Sequence, residues 1–360
     1  MKSSFLKNLK SLSYSCLFWI IAFVFYYVFR KVGIEAEIGI EINDPLSATD
    51  NIALSIVIGI LTGVLYFFLE KLFERTLIQR QSLGIQFLIR TTCYLLLINF
   101  LIDITLFIQS VFIENNPSYS LFEIWSSPAL WPFILFFMLA SDLFYFIKLV
   151  SQKFGEGVLP KMLMGKYRKP SIENKIFLFI DLKSSTTLAE RLGYLKYSEL
   201  IQQCFYDLNE VVQKFNGGIY QYVGDEAVIC WDYKNGIRNN TCVECFFSFT
   251  EKLASKEEYY ISTFGALPTF KAGLHGGELV VTEVGIIKRE IAYHGDVINT
   301  TARIQEQCNN FNSGLLISDK IECDLQKKDH LSIYFKGEIP LKGKKLPVGI
   351  YDVKKTEIGS

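Results

Sequence analysis

Hydrophobic residues are concentrated in four long runs within the first 150 positions, at residues 14–28, 52–69, 91–112 and 125–150. Each run is close to the roughly 20 residues that a helix needs to cross a bilayer. The first run ends in FVFYYVFRK rather than in small residues, so we do not expect it to be cleaved as a signal peptide. The pattern therefore predicts a four-helix transmembrane region over residues 1–150.

Basic residues flank these runs unevenly, and Lys and Arg are retained on the cytoplasmic side of a membrane. They are concentrated in the N-terminal segment, in the loop after the second run and after the fourth run: Lys2, Lys7, Lys10, Lys71, Arg75, Arg80, Arg90, Lys148, Lys153, Lys161, Lys166, Arg168 and Lys169. Arg30 and Lys31 oppose the pattern but are outnumbered. We therefore expect a multi-pass protein of the cell inner membrane, with both termini in the cytoplasm.

Two acidic residues, Asp103 and Asp142, lie within the third and fourth runs. A carboxylate in a membrane is costly and usually faces a partner or water, so a sensor or a proton-linked switch is one interpretation. We favour an interhelical hydrogen bond, with Asn99 or Thr105 as the donor, or a position wet by the interface. The membrane region is then an anchor, a dimerisation element or a sensor rather than a transporter.

Beyond residue 150 the hydrophobic pattern changes to the shorter periods of a soluble domain. Gly and Pro punctuate residues 151–175, which predicts a juxtamembrane coupling segment. Over residues 176–355, strand patterns such as KIFLFIDL and EAVICWD alternate with amphipathic helices, including one long helix from SSTT to QKFN. This alternation predicts an α+β domain in which helices pack on one mixed sheet.

Composition and charge narrow the function classes. Half of the residues are apolar, and 37 basic residues balance 37 acidic ones. This excludes a disordered chain and a polybasic nucleic-acid binder, so we expect no nucleic-acid partner. The eight Cys residues have no framework spacing and are interpreted as reduced thiols, with Cys242 and Cys245 as helix packing rather than a zinc site.

Two aspartates stand at positions that favour metal chemistry. Asp181 ends the apolar strand IFLFID and is followed by Lys183 and the polar run Ser184–Thr186, which can cap a helix. This combines a hard metal ligand with backbone N–H groups that can bind phosphate. Asp225 lies at the tip of a hairpin between apolar strands. Either residue alone could be a cap or a turn residue, but together they can hold two Mg²⁺ ions over a triphosphate.

A third polar element is YHGDVINTTARIQEQC, in which Asn299 and Arg303 are four residues apart. On a helix this spacing places both side chains on one face. A carboxamide that orients a sugar hydroxyl, beside a guanidinium that neutralises phosphate charge, suits phosphoryl transfer. An exposed polar helix face is the alternative for this element taken alone.

The segments FLFIDLKSST, YQYVGDEAV and HGDVINTTAR, in this order and at these separations, resemble the class III nucleotide cyclases. The resemblance covers roughly residues 172–353. It implies a ferredoxin-like catalytic domain that works as a homodimer, with active sites at the subunit interface. The four predicted spans and the juxtamembrane segment resemble membrane-anchored bacterial members, in which that segment couples the membrane to the dimer.

The resemblance also implies a role for individual residues. Asp181 and Asp225, with the backbone carbonyl of Leu182, would bind two Mg²⁺ or Mn²⁺ ions per site. Asn299 would position the ribose and Arg303 would stabilise the transition state, both from the partner chain. The phosphate-binding residues would be Ser184, Ser185, Thr186 and Lys342.

Base recognition departs from the family pattern. The two positions that carry Lys and Asp in adenylate cyclases, or Glu and a small residue such as Cys in guanylate cyclases, are Gln221 and Ala292. Gln offers adenine a donor and an acceptor, whereas guanine would prefer a carboxylate. We therefore expect conversion of ATP to cyclic AMP, with a guanylate cyclase as the alternative.

Two other functions fit less well. A catalytically silent cyclase-like module would be expected to lose at least one of Asp181, Asp225, Asn299 and Arg303, and all four are present. A diguanylate cyclase would carry a GG[DE]EF turn, and the hairpin here is VGDEAV.

Overall fold

A computed structural model describes residues 2–38, 47–74, 78, 81–112, 126, 130–154, 158–287, 289–326, 330–340 and 347–356. The chain divides into two compact units, Met1–Gln152 and Lys153–Ser360. The first unit consists of helices and the second contains a mixed sheet. The finer boundaries of the juxtamembrane segment stay a prediction.

The first unit contains four long helices: α1 (Lys2–Ile38), α2 (Ala48–Glu74), α3 (Leu83–Phe112) and α4 (Leu130–Phe154). Within the described residues, each has a stretch long and apolar enough to cross a membrane, which confirms the predicted four helices. The third helix begins at Leu83, before the predicted run, and extends to Phe112, so it includes residues 91–112. The prediction began after Arg90 because of its charge, but the helix continues through Arg90, which is buried and paired with Glu70 on α2.

Aromatic rings fill the interior of this helical unit. Trp19 stacks on Phe137 with ring centroids 5.0 Å apart, and Tyr66 stacks on Tyr94 at 4.3 Å. Small residues allow α1 and α2 to pack closely. A Cβ atom on Gly63 of α2 would lie only 2.5 Å from the Cα atom of Cys16 on α1. Close backbone approach at small residues is a common way for membrane helices to associate.

The polar residues of the helical unit join its helices. Asp142 on α4 accepts a hydrogen bond of 3.0 Å from Thr91 on α3, so the interhelical donor is Thr91 rather than Asn99 or Thr105. Asn99 donates instead to the carbonyl of Leu95 in its own helix. Asp103, the other acidic residue within the predicted runs, is exposed.

The second unit is built on eight strands: β1 (Ser171–Leu182), β2 (Gly218–Val223), β3 (Glu226–Asp232), β4 (Phe270–Val284), β5 (Glu290–His294), β6 (Leu315–Ser318), β7 (Leu331–Ile339) and β8 (Val348–Lys355). The strand order is β2-β3-β1-β4-β6-β8-β7, with β5 paired to β4. Among the described strands, the β4–β6 pair is parallel and the other pairs are antiparallel. This confirms the predicted α+β fold with one mixed sheet.

The helices of this unit are α5 (Val158–Leu163), α6 (Ser185–Leu192), α7 (Tyr194–Lys214), α8 (Tyr233–Ile237), α9 (Thr241–Ala254), α10 (Glu257–Phe264), α11 (Asp296–Asn310) and α12 (Asp319–Asp324). The sequence pattern predicted one helix where the structure has α6 and α7. The break lies at Gly193, whose φ of 75° is outside the helical range. The helical period continues across this glycine, so hydrophobic spacing alone does not reveal the break.

The two faces of the sheet have different cores. Ile176, Leu178 and Ile180 of β1 point into the larger core, which also contains residues of α7 and α9. Phe177 and Phe179 point into a smaller cluster on the opposite face. Because β1 is covered on both faces, its centre reads as a continuous apolar run. Each such buried side chain stabilises the fold by about 1.5–3 kcal/mol, which makes β1 a rigid support for the residue at its end.

Candidate active site

Strand register places three charged residues in a row on the face of the smaller cluster. Asp181 at the end of β1 is paired with Glu226 on β3 and with Lys271 on β4. Residues paired across neighbouring strands project to the same face. They therefore lie on the same face as Phe179, two residues before Asp181 on β1.

Asp181 is held by two donors from other elements. The Nζ atom of Lys271 lies 3.1 Å from Oδ2 of Asp181, and Nε2 of Gln305 on α11 donates to the same oxygen at 2.9 Å. The Asp181 side chain remains partly exposed, at 23%. A carboxylate oriented by two donors and still open to solvent is prepared to bind a cation with little rearrangement.

Asp225 lies in the tight turn between β2 and β3, as predicted, after Gly224 with φ of 60°. Its Oδ2 atom is buried and has no hydrogen-bond partner among the residues that the structure describes. Leaving a buried carboxylate oxygen unpaired costs free energy. A cation at this oxygen would remove that cost, so the Asp225 side chain fits a metal ligand.

Glu226 adds a third carboxylate that the sequence analysis did not single out. Burial raises the pKa of Glu226 to about 7, and the nearby negative charges of Asp181 and Asp225 contribute to the shift. The positive charge of Lys271 lowers the pKa of Glu226 and so partly offsets this shift. This crowding of negative charge at one end of the sheet favours a cationic ligand.

The metal-binding capacity of these residues is that of an open site. Within the described ranges, no group of three or more His, Cys, Asp or Glu side chains is arranged to hold a metal ion. Two carboxylates with a backbone carbonyl instead leave positions for water and substrate oxygens, as Mg²⁺ sites on phosphate substrates do. Leu182, the predicted carbonyl donor, is buried at the end of β1.

The predicted phosphate-binding segment lies at the start of α6. Ser184 has a left-handed φ of 55°, and its side chain makes no cap hydrogen bond to the helix. First-turn N–H groups of a helix favour anions when side chains do not satisfy them. Burial and the nearby carboxylate of Asp225 raise the pKa of Tyr197, and the Ser185 side chain also affects this pKa. Tyr197 therefore lies near both this segment and Asp225.

Asn299 and Arg303 lie on α11, as predicted, but they face away from Asp181 of their own chain. Gln305 on the same helix contacts Asp181. At 100° per residue, Arg303 projects about 200° around the helix from Gln305, and Asn299 about 240°. Asn299 is exposed and Arg303 is partly exposed. One chain therefore does not bring these two groups to its own Asp181.

The predicted base-recognition positions lie on two strands that are not hydrogen-bonded to each other. Gln221 is exposed on β2, opposite Val228 of β3, and Ala292 is half-buried on β5, opposite Thr282 of β4. Lys342 lies outside the described residues, so its predicted role stays a prediction.

Sequence reasoning missed Glu226 and Lys271. Glu226 was taken as the first residue of an apolar strand, and Lys271 as a charge on another strand. The signal that identifies both is the strand register opposite Asp181, which depends on pairing between distant segments.

Comparison with known proteins identifies a family and relatives of the second unit. Residues 167–355 match the family described as "Adenylate and Guanylate cyclase catalytic domain". Adenylate cyclase 2 of Rhizobium meliloti (strain 1021) is 39% identical over 173 residues, which is 48% of this chain and 48% of that protein. Adenylate cyclase 1 of the same strain is 24% identical over 181 residues, 49% of this chain and 27% of that protein.

A solved structure of a bacterial light-regulated adenylyl cyclase superposes with a TM-score of 0.53 at 16% identity, covering 63% of this chain and 66% of that one. This likeness supports the fold.

The chain spans about half the length of the first of these relatives, and the shared part is confined to about half of this chain. Because the family match covers more than half of the 360 residues, the chain belongs to the family of adenylate and guanylate cyclase catalytic domains, the class III nucleotide cyclases.

Proposed function

We propose that this chain is a membrane-anchored adenylate cyclase that converts ATP to 3′,5′-cyclic AMP and pyrophosphate. The observation that carries the proposal is the carboxylate pair Asp181 and Asp225, the second with a buried oxygen that no described residue hydrogen-bonds. In this reaction the ribose 3′-oxygen forms a bond to the α-phosphorus. The bond between the α-phosphorus and the pyrophosphate oxygen breaks, and the hydroxyl proton leaves.

Asp181, Asp225 and the carbonyl of Leu182 would hold Mg²⁺ or Mn²⁺, two ions per active site. When bound, such ions neutralise the triphosphate and favour loss of the hydroxyl proton. The fit rests on the chemistry of the donors: hard oxygen ligands, one of them buried without a partner, beside a Glu226 carboxyl whose pKa is raised to about 7.

Lys271 is proposed as a phosphate-binding residue. Its ammonium group neutralises Asp181 in the absence of a cation. When a cation binds Asp181, the ammonium becomes available to the negatively charged triphosphate of the substrate. The segment Ser184–Thr186, with first-turn N–H groups that Ser184 does not cap, would contribute to the same phosphate site.

The proposed active unit is a homodimer. Asn299 and Arg303 project away from Asp181 of their own chain, so a second copy must supply them if they act on the same nucleotide. Asn299 would then orient the ribose, and Arg303 would stabilise charge that develops on the phosphates. In a symmetric dimer each chain gives its carboxylates to one site and its Asn and Arg to the other.

ATP is the proposed substrate because Gln221 can donate to and accept from adenine. Both adenylate cyclase relatives are consistent with this choice over GTP. We further propose that the four apolar helices of the first unit lie in the inner membrane and that the catalytic unit is cytoplasmic.

The test is to assay the full-length chain in detergent or nanodiscs with Mg²⁺ or Mn²⁺ and either ATP or GTP, and to identify the product chromatographically. We expect cyclic AMP from the wild type and none from the Asp181→Ala variant. Asp232→Ala is a matched control, because Asp232 also lies on the sheet but pairs with Lys175 at the opposite end of β3. No cyclic product from either nucleotide would contradict the proposal, and cyclic GMP as the main product would identify a guanylate cyclase.

A further inference from the structure

An irregularity in β2 turns the consecutive residues Tyr220 and Gln221 toward the same face of the sheet, that of the smaller cluster. The ladder pairs Ile219 with Ile229 and Gln221 with Val228, which leaves Tyr220 as an extra residue on β2. Ile219 packs against the larger core, whereas Tyr220 packs against the smaller cluster that contains Val228. A β-bulge of this kind re-aims side chains and fixes the local strand direction.

Tyr220 packs against Tyr293, which is next to Ala292, the second predicted base-recognition residue. Its ring packs edge to face on Tyr293, with centroids 4.8 Å apart and an interplanar angle of 76°. Tyr220 precedes Gln221, and Tyr293 follows Ala292. The ring pair therefore joins β2 and β5, which are not neighbours in the sheet.

A third aromatic residue, Phe177, packs against both rings of the Tyr220–Tyr293 pair. Phe177 of β1 packs edge to face on both rings, at 5.4 Å from Tyr293 and 6.3 Å from Tyr220. Tyr167, which is buried in the same cluster, is fixed by its carbonyl, which accepts a 2.9 Å hydrogen bond from the N–H of Glu283. Closely packed rings resist displacement, so the spacing between β2 and β5 is set by this contact.

We propose that Tyr220 and Tyr293 are positioning residues that set the separation of Gln221 and Ala292 and so determine nucleotide selectivity. This inference rests on the proposed function, because it assigns the pair to base recognition in the same site. The pair lies apart from the row formed by Glu226, Asp181 and Lys271. Loss of the rings therefore alters how the base is held more than how the phosphates react.

The experiment compares Tyr220→Leu and Tyr293→Leu with the wild type, in full-length protein, by steady-state kinetics with ATP and with GTP. We expect the KM for ATP to rise about tenfold while kcat changes by less than about threefold, because base binding is lost more than transition-state stabilisation. The ratio of kcat/KM for ATP over GTP should fall by about tenfold. Tyr220→Phe and Tyr293→Phe keep the rings and should stay within about twofold of the wild type.

Tyr222→Leu is the matched control. Tyr222 lies on the same strand, but its ring stacks on Phe205 of α7 at 4.6 Å on the other face of the sheet. We expect its ATP-to-GTP ratio to equal that of the wild type. The proposal is overturned if both Leu variants keep the wild-type ratio, or if kcat falls while KM and the ratio do not change. A wild type without cyclase activity contradicts the proposed function instead, so the two failures are distinguishable.

Discussion

The ammonium group of Lys271 lies 3.1 Å from the carboxylate of Asp181 on the neighbouring strand, at the end of the sheet where Asp225 has an oxygen without a hydrogen-bond partner in the described ranges. Lys271 is only 11% exposed. Its charge therefore acts in a partly buried setting, where an interaction with phosphate is stronger than at a free surface. This places a cation of the protein itself beside one of the proposed metal ligands.

Replacing Lys271 should lower activity through loss of phosphate neutralisation. We expect Lys271→Met to reduce kcat/KM for ATP by about 10–100-fold, because it removes one charged contact to a phosphate. Lys271→Arg should keep most of kcat/KM, because the positive charge remains. Initial rates over a range of ATP and Mg²⁺ concentrations provide the measurement. Lys252→Met, which removes a surface pair with Glu210, is the control. Equal rates for Lys271→Met and the wild type would contradict the role.

Asp225 should be important for activity and unimportant for stability. The Asp225→Asn variant removes the charge of a carboxylate whose Oδ2 atom has no hydrogen-bond partner within the described part of the chain, so metal-free stability should stay within about 1 kcal/mol of the wild type or increase. Activity should fall by at least about 10³-fold, since a metal ligand is lost. Urea unfolding without metal and cyclic AMP assays measure the two effects.

The contrasting variant is Asp207→Asn. Asp207 is buried and accepts hydrogen bonds from Tyr260 at 2.7 Å and from Lys256. Removing its charge weakens the pair with the partly exposed Lys256 and the hydrogen bond from Tyr260, and should destabilise the second unit by about 1.5–3 kcal/mol. If Asp225→Asn destabilised the protein as much as Asp207→Asn, the Asp225 side chain would be structural.

Much of the site could be predicted because its residues stand at points that local sequence determines. The apolar run of β1 ends at Asp181, and the glycine before Asp225 marks a tight turn, so both acids are recognisable without the fold. Asn299 and Arg303 share a helix face by spacing alone. These predictions needed only strand ends, turn chemistry and helical period.

The residues that were missed depend on distant pairing. Glu226 and Lys271 reach the site because β3 and β4 pair with β1 in one register, and a shift of one residue would turn both away. The amino-acid sequence alone does not show that strand register. Arg90 was likewise taken as a boundary of the third span, because the sequence does not show that Glu70 on another helix pairs with it.

The pH dependence of stability should reveal Glu226. Its pKa is raised to about 7 by burial and by neighbouring carboxylates, whereas a Glu in an unfolded chain titrates near 4.3. The folded state therefore binds the proton more tightly, and stability is lost as pH rises from about 4.3 to about 7. After solvent screening of this half-buried group, the loss should be about 1–2 kcal/mol.

The measurement is urea unfolding of metal-free protein between pH 5 and 8, with the wild type compared with Glu226→Gln. The difference between their pH profiles isolates this carboxyl, and Glu226→Gln should be the more stable protein at pH 8. Glu210→Gln, at a surface ion pair, should follow the wild type. Parallel profiles for the wild type and Glu226→Gln would show that the carboxylates do not repel one another.

Mixing inactive subunits should restore activity if each site is shared between two chains. Asp225→Ala removes a metal ligand and Arg303→Ala removes the partner's contribution, so a mixed dimer retains one intact site of two. Purification on both tags retains only mixed dimers, each with one intact site of two, which predicts about half of the wild-type activity per chain. The measurement is cyclic AMP formation after co-expression of the two variants with different affinity tags and tandem purification.

The control for mixing is the pair Asp181→Ala and Asp225→Ala. Both residues belong to the same half of the site, so a dimer of these two variants has one defective carboxylate in each site and should remain inactive. Rescue by the first pair and none by the second requires that Arg303 and Asp225 act from opposite chains, as their placement on α11 and on the β2–β3 turn predicts. Because Arg303 projects about 200° away from the side of α11 that contacts Asp181, a lack of rescue in the first pair would mean that Arg303 acts outside the catalytic site.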